Sequence, residues 1–412
     1  MSSTSTPTIL FNKDRDIPQA CFQQRFFMRG ADPLKIVLWY WGRRGGGAQF
    51  TLGLARALAA RRDVALTLYL SDRNELLEES RAVGCPLVLA NTYHSRATFL
   101  SALPRLPALT GSLARIARAS DVVISTMTHL FTPLVARYLS APFVPVVHDA
   151  VPHPGDPGLF WNWRLGSELR AARAAVVLSN HVATALQDRA PDLPILRMHL
   201  PALYAGMYPA PDNPPYFLMF GRLRRYKGLC LLRDAFALLR QSYPGVRLRI
   251  VGEGDAEACA PGISRMPGVT VEERWVPEAE IPILLGAATA VVLPYTEASQ
   301  SGVVPQALAL GVPVVATAVG GLREQVREGA GGLLAEATTP AALAHAMSRV
   351  LDPGTLAALR TEARLAGEKC LDWDGEAAAL VWFLRHVLRP VQPDHSQPKQ
   401  TLERTINNER CA

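Results

Sequence analysis

The segment GRLRRYKG at 221–228 carries the residue types and spacing that most invite chemistry. Arg222 and Lys227 stand five positions apart, after an apolar run ending in glycine and before a helical pattern. Carboxyl ends of parallel strands open onto ligand crevices, and helix N-termini favour anions. A guanidinium fork and an ammonium point charge placed there can hold a pyrophosphate; two ordinary surface cations are the alternative. Further along, ASQSGVVPQALALGVPVVATAVGGLREQV at 298–326 sets Ser301 and Gly302 ahead of a helix expected to begin near Pro305. Unsatisfied N–H groups at that end, with the Ser301 hydroxyl, suit a phosphate, and a plain structural turn is the alternative. In VGEGD at 251–255, Gly252 follows a strand and lets another backbone or a ligand come close. Two Asp-x-Asp patterns, Asp14/Asp16 and Asp372/Asp374, have the spacing of a divalent-cation site. Neither follows a strand facing a cleft, so both are read as chance and no metal is expected.

These residues need elements to position them. KIVLWYWG at 35–42 reads as a buried strand, and the triple glycine at 45–47 opens a helix with Phe50, Leu54 and Leu58 on one face. VALTLYL (64–70), DVVIST (121–126), FVPVVHD (143–149) and AAVVLS (174–179) continue a parallel α/β sheet. The pattern restarts at YFLMFG (216–221) and runs through VRLRIVGEG (246–254), ATAVVLPY (288–295) and VPVVAT (312–317). Two α/β domains in tandem are expected, 33–210 and 211–374, divided at the proline-rich PAPDNPP (209–215). Residues 1–32 are expected to be a loosely attached extension, and 391–412 a disordered polar tail.

Composition bounds the class. The 412 residues are 49% apolar and 19% charged, which excludes a disordered or fibrous chain. The six cysteines show no CxxC spacing, which fits a reducing compartment and no zinc ribbon. No secretory signal and no long apolar span is visible, so a cytoplasmic protein is expected. The net charge of +7 is uneven: residues 1–210 carry 22 basic and 14 acidic side chains, and 211–412 carry 21 and 22. An excess of +8 in the first half suits an anionic partner, either acidic lipid at a membrane surface or a phosphorylated substrate. Dispersed basic residues without interleaved aromatics argue against nucleic acid.

Together, GRLRRYKG, VGEGD, VVLPY, the SGVVPQALALGVPVVAT block and GGLRE resemble the retaining glycosyltransferases of family 4, in that family's order. GGGAQFT (45–51), VVHDAVPHPG (147–155) and LSNHV (178–182) match more loosely. The resemblance implies a GT-B fold, two facing Rossmann-like domains with the donor site between them. It also implies a closing helix near 375–390 that packs back on the first domain.

The resemblance assigns roles as well. Arg222 and Lys227 match the donor-phosphate cations, and His148 the histidine near the donor sugar. Asp149 stands beside His148, and Gly46 and Gly47 fall in the glycine loop facing the cleft. The family's two-glutamate motif is replaced here by an SQSGV variant. Ala298 fills the first glutamate slot, Ser301 the glycine slot with Gly302 and Val303 following as donor-binding residues, and Gln306 the second glutamate slot, where an amide can still bond a ribose hydroxyl. Glu297, one residue early, is a candidate for the missing carboxylate, and Arg274-Trp275-Val276 are expected near the base.

The implied activity is transfer of a sugar from a nucleotide-sugar donor to a saccharide or lipid-linked hydroxyl, with retention and without a metal or other cofactor. Cell-surface polysaccharide or glycolipid synthesis at the inner membrane face is the expected setting. The alternatives are a nucleotide-sugar-binding protein without transferase activity, or an epimerase or phosphorylase of the same fold.

Overall fold

Runs of Val, Ile and Leu that can be buried on both faces become the inner strands of parallel sheets. A computed structural model describes residues 10–17, 32–93, 98, 100, 102–154, 157–206 and 216–388. Its first sheet contains β1 (Leu10–Asn12), β2 (Leu34–Tyr40), β3 (Val64–Ser71), β4 (Leu87–Ala90), β5 (Val122–Ser125), β6 (Phe143–Val147), β7 (Ala175–Val177) and β8 (Ile195–Arg197). They lie in the order β1-β8-β7-β6-β5-β2-β3-β4. The second contains β9 (Tyr216–Phe220), β10 (Arg247–Val251), β11 (Val269–Glu272), β12 (Ala290–Leu293), β13 (Val314–Thr317) and β14 (Gly332–Ala335). Their order is β11-β10-β9-β12-β13-β14, and all strand pairs in both sheets are parallel.

The order reverses at β2, flanked by β3 and β5, and at β9, flanked by β10 and β12. Such switch points leave a crevice beyond the strand ends, where consecutive loops part to opposite faces. The loops after β2, β5 and β6 face those after β9, β10 and β12 across one cleft, whose walls both sets supply.

Helices fix these loops. Helix α1 (Gly46–Ala59) buries Phe50, Leu54 and Leu58 under the first sheet. In the second domain α2 (Leu229–Ser242) and α3 (Val303–Ala309) follow β9 and β12, and α4 (Leu322–Gln325) follows β13. Helix α5 (Pro353–Cys370) crosses α3 so closely that a Cβ on Gly367 would lie 2.3 Å from the Leu308 carbonyl oxygen. The chain then returns: α6 (Trp373–Val387) puts Ala377, Leu380, Val381, Phe383 and Leu384 into the core of the first domain.

The N-terminal segment departs from expectation. Residues 10–17 are not loosely attached: β1 pairs with β8, and Phe11 meets Phe383 edge-on at 5.4 Å. Lys13 is buried, its ammonium 2.9 Å from Glu376 and 2.7 Å from Asp372. An apolar edge and a charge paired with the buried Glu376 hold this segment where composition alone predicted a tail. The Asp-x-Asp patterns have structural partners here. Asp14 faces Arg197 at 3.4 Å, Asp16 accepts from the Asn12 N–H, and Asp372 caps α6 through the Gly375 N–H. The expected linker 209–215 and tail 391–412 lie outside the described residues, as do 1–9 and 18–31.

Removing one member of a buried ion pair strands the other charge, at about 3–5 kcal/mol. Lys13→Ala is therefore expected to lower the urea midpoint markedly, while Arg15→Ala, an exposed neighbour, leaves it nearly unchanged. Equal small effects of both would show that the segment does not dock through Lys13.

Candidate active site

The second domain supplies the cationic wall. Strand β9 ends at Phe220, and after Gly221 a turn over Arg225–Lys227 leads to Gly228 (φ 73°) and α2. Only glycine fits at 228, because a Cβ would lie 1.8 Å from the Pro294 carbonyl oxygen. This turn points Arg222 and Lys227 into a cleft of about 650 Å3 between the domains. The Lys227 ammonium rests 3.7 Å from the centre of the buried Tyr295 ring, a cation–π contact that fixes it without cancelling its charge. Gly252 lines the cleft too, but its missing side chain serves the fold: a Cβ there would lie 1.8 Å from the Gly221 carbonyl oxygen.

Ser301, Gly302, Val303 and Gln306 also line the cleft. The helix begins at Val303 rather than near Pro305; proline is tolerated in the first turn, so its position did not fix the boundary. The Ser301 hydroxyl, expected to face a phosphate, lies 3.4 Å from the Tyr295 hydroxyl and accepts from the Val303 N–H at 3.4 Å. The Ser301 N–H donates to Gln325 Oε1 at 2.7 Å, and Gln325 Nε2 donates back to the Ser301 carbonyl at 3.1 Å. That leaves the Gly302 and Val303 end of the segment facing the cleft. Gln306 Oε1 accepts from the Tyr204 N–H at 3.3 Å, so this amide also tethers the first domain. Glu297 is not part of the cleft wall. Its Oε1 lies 3.2 Å from Nδ1 of His153, so the carboxylate reaches the site only through that ring.

The first domain supplies the facing wall. Gly45 (φ 78°) starts α1, and Gly46 and Gly47 present its first turn to the cleft. A Cβ on Gly47 would press on Tyr40 and Met127, whereas Gly46 has open space beside it. His148 has both ring nitrogens occupied: Nε2 is 2.8 Å from the Thr126 carbonyl, and Nδ1 is 3.1 Å from Gln300 Nε2. Burial holds its basicity below the ordinary imidazole value. His153 is the opposite case. It sits between Asp149 (3.1 Å) and Glu297 (3.2 Å) and stacks flat on Tyr226 at 4.4 Å. The hydrogen bond to Asp149 raises its pKa. Farther in, Trp41, Arg43, Tyr93 and His129 line the first-domain end, and burial pushes His129 down to about 3, so it is neutral.

The domains are held closed by polar contacts across the cleft. Arg44 lies over the Trp275 ring at 4.8 Å, and Trp275 Nε1 donates to Glu75 at 3.2 Å. Gln49 donates to Glu278 at 2.9 Å, and the Tyr204 hydroxyl donates to the same carboxylate. Ser179 Oγ donates to the Ser299 carbonyl at 3.0 Å. Arg274, Trp275 and Val276 all line the cleft, but the Arg274 guanidinium is engaged by Glu272 and Glu280.

Thus the structure brings together Gly46, Gly47, His148, Arg222, Lys227, Gly252, Ser301, Gly302, Val303 and Gln306, and leaves Glu297 one contact away. Sequence reasoning missed His153, Gln300, Glu278 and Tyr204; the spacing of His148, Asp149 and His153 was the one usable local signal.

With this geometry in hand, comparison with known proteins is decisive for the family. Residues 214–353 match the glycosyl transferases group 1 domain, and residues 44–195 match the glycosyltransferase family 4 domain. The chain carries both a glycosyltransferase family 4 domain and a glycosyl transferases group 1 domain. It is 30% identical over 184 residues to D-inositol 3-phosphate glycosyltransferase of Corynebacterium urealyticum, covering 42% of this chain and 43% of that one. It is 34% identical over 173 residues to glycogen synthase of Mycobacterium tuberculosis, covering 40% and 41%. The matched stretch thus spans about four-tenths of the length of these curated relatives. The crystal structure of Anabaena Alr3699/HepE in complex with UDP-glucose has the same fold, with a TM-score of 0.63 and 18% identity over 86% of this chain and 98% of that one. GT-B is therefore the architecture of this chain.

The His153 bridge predicts a pH signature. A group whose folded pKa is raised stabilises fully below its unfolded value, about 6.5, and loses that contribution as pH rises through the raised value. The urea midpoint of the wild type should exceed that of His153→Gln most between about pH 5 and 6.5, where Asp149, held below the ordinary carboxylate value, is ionised, and the gap should close at higher pH. A gap that widens with pH would show that the bridging ring is neutral.

Proposed function

We propose that the protein transfers a glycosyl unit from a nucleoside-diphosphate sugar to an acceptor hydroxyl, with retention and without a metal. The observation that carries this reading is the pair Arg222 and Lys227, facing the interdomain cleft with no carboxylate partner among the described residues. In such a transfer the bond from C1 to the β-phosphate oxygen breaks and a bond from C1 to the acceptor oxygen forms. The acceptor proton passes to the departing phosphate. Charge grows on that phosphate, and fixed cations with the N–H group of Gly302 oppose it without reorganising. Closure of the cleft excludes water, which limits hydrolysis of the donor. The UDP-glucose complex of the same fold supports a nucleotide-sugar donor.

For the acceptor, the reading is a saccharide or lipid-linked hydroxyl in cell-surface polysaccharide or glycolipid synthesis, on the cytoplasmic side of a membrane. No helix among the described residues is long and apolar enough to cross a bilayer. The first-domain helix Gly158–Ala171 exposes Leu159 (90%), Phe160 and Trp163, and its half of the chain carries the +8 excess. Both features support peripheral contact with anionic lipid. Ala298 and Gln306, in place of two glutamates, favour the second reading, a sugar-nucleotide-binding protein without transfer. Nucleoside diphosphate released only when donor and acceptor are both present separates the two.

Arg222→Ala and Lys227→Ala should each lower turnover about a hundredfold or more, the usual effect of losing one preorganised contact to developing charge. Circular dichroism should show both variants folded, and near-normal turnover in both would misplace the phosphate site. Turnover should also survive excess EDTA; loss restored by Mn²⁺ would instead assign a ligand role to the Asp14/Asp16 or Asp372/Asp374 carboxylates.

A further inference from the structure

A neutral imidazole offers one donor and one acceptor. At His148 the Thr126 carbonyl, 2.8 Å from Nε2, can only accept, so Nε2 carries the proton. The lone pair on Nδ1 is then the acceptor for the Gln300 amide at 3.1 Å. Phe50 closes the ring edge-on at 5.7 Å. Asp149 is the one charged neighbour that favours an imidazolium, and its carboxylate is turned toward His153.

The geometry points to Gln300 as a positioning residue that, on closure of the cleft, delivers an amide N–H from the second domain to His148 and holds its ring neutral in the Nε2–H tautomer. Two features set Gln300 up for this. The peptide of the next residue, Ser301, is clamped in both directions by Gln325 at 2.7 and 3.1 Å, so the backbone that carries Gln300 is fixed. The amide's own Oε1 is buried without a partner, so the side chain forgoes a bond of its own while its N–H stays on Nδ1. The consequence rests on the glycosyl-transfer reading: C1 becomes electron-poor as the phosphate leaves, and a neutral ring beside it avoids the repulsion an imidazolium would impose. Gly302 and Val303 lie two and three residues beyond Gln300, so occupation of the phosphate site and the protonation state of His148 are set by one segment.

The test is nitrogen NMR on the full-length protein with isotope-labelled histidine, His148 being assigned by its loss in His148→Asn. At about pH 7.5 the wild-type ring should be neutral with the proton on Nε2. In Gln300→Glu the carboxylate can only accept, so Nδ1 should take a proton and the ring become an imidazolium. In Gln300→Ala the ring should stay neutral, with the Nδ1 signal moving toward that of an unbonded lone pair. With UDP-glucose as donor, the Glu variant should lose about tenfold or more in kcat, with rescue by Gln300→Asn at least in part, and UDP affinity within about twofold. A ring that stays neutral in Gln300→Glu, an Nδ1 signal unmoved in Gln300→Ala, or a wild-type ring already charged would each overturn the proposal. A wild-type protein that binds UDP-glucose but never releases UDP would instead overturn the transfer reading, and the NMR result would still decide the role of Gln300.

Discussion

The structure is organised around keeping two positive charges uncompensated at the floor of a cleft rich in carboxylates. Arg222 and Lys227 would attract any nearby Asp or Glu, and a pair formed there would compete with an anionic ligand. Each carboxylate around the cleft is held by another donor. Glu75 takes the Gly45 N–H and the Trp275 indole, Glu278 takes Gln49 and Tyr204, and Asp149 and Glu297 share His153. Glu253 lies 3.8 Å from Arg44. Most of these donors belong to the opposite domain, so the contacts that occupy the carboxylates also hold the cleft closed.

The uncharged residues at 298 and 306 fit the same constraint. Ala298 is buried, where a carboxylate would lose its solvation, and its carbonyl oxygen is approached so closely that a Cβ on Gly320 would lie 1.9 Å away. Gln306, also buried, accepts from the Tyr204 N–H without adding charge. Neither position adds negative charge to the domain that carries Arg222 and Lys227, and the Glu297 carboxylate is turned to His153.

How much of this could be read from sequence depended on separation along the chain. Most inner strands announced themselves as apolar runs, because burial on both faces leaves no other composition; β8, only three residues long, did not. The edge strands β1, β4, β11 and β14 did not: LFN, LVLA, VTVE and GLLA are three or four residues long and take their pairing from a neighbour. Lys13 looked like part of a polar tail, since its partners Asp372 and Glu376 lie some 360 positions away. Arg222 and Lys227 were legible through the glycines that punctuate their turn. Gln300 and His153 were not, because each acquires meaning only from a partner about 150 residues distant on the other domain.

The short segment 297–303 gathers these threads. Glu297 reaches His153, the Ser299 carbonyl accepts from Ser179, Gln300 reaches His148, and Gly302 and Val303 face the cleft. An anion seated against Gly302, Val303, Arg222 and Lys227 would pull on the same backbone whose side chains cross to the first domain. Conversely, opening the domains would break the contacts to both histidines while leaving the Gln325 clamp, which lies wholly within the second domain, intact. The segment would therefore move as a unit with its own sheet, and the histidines would be left behind. Ligand binding by the second domain and the state of the first-domain histidines are coupled through these few contacts, with no longer path through the core required.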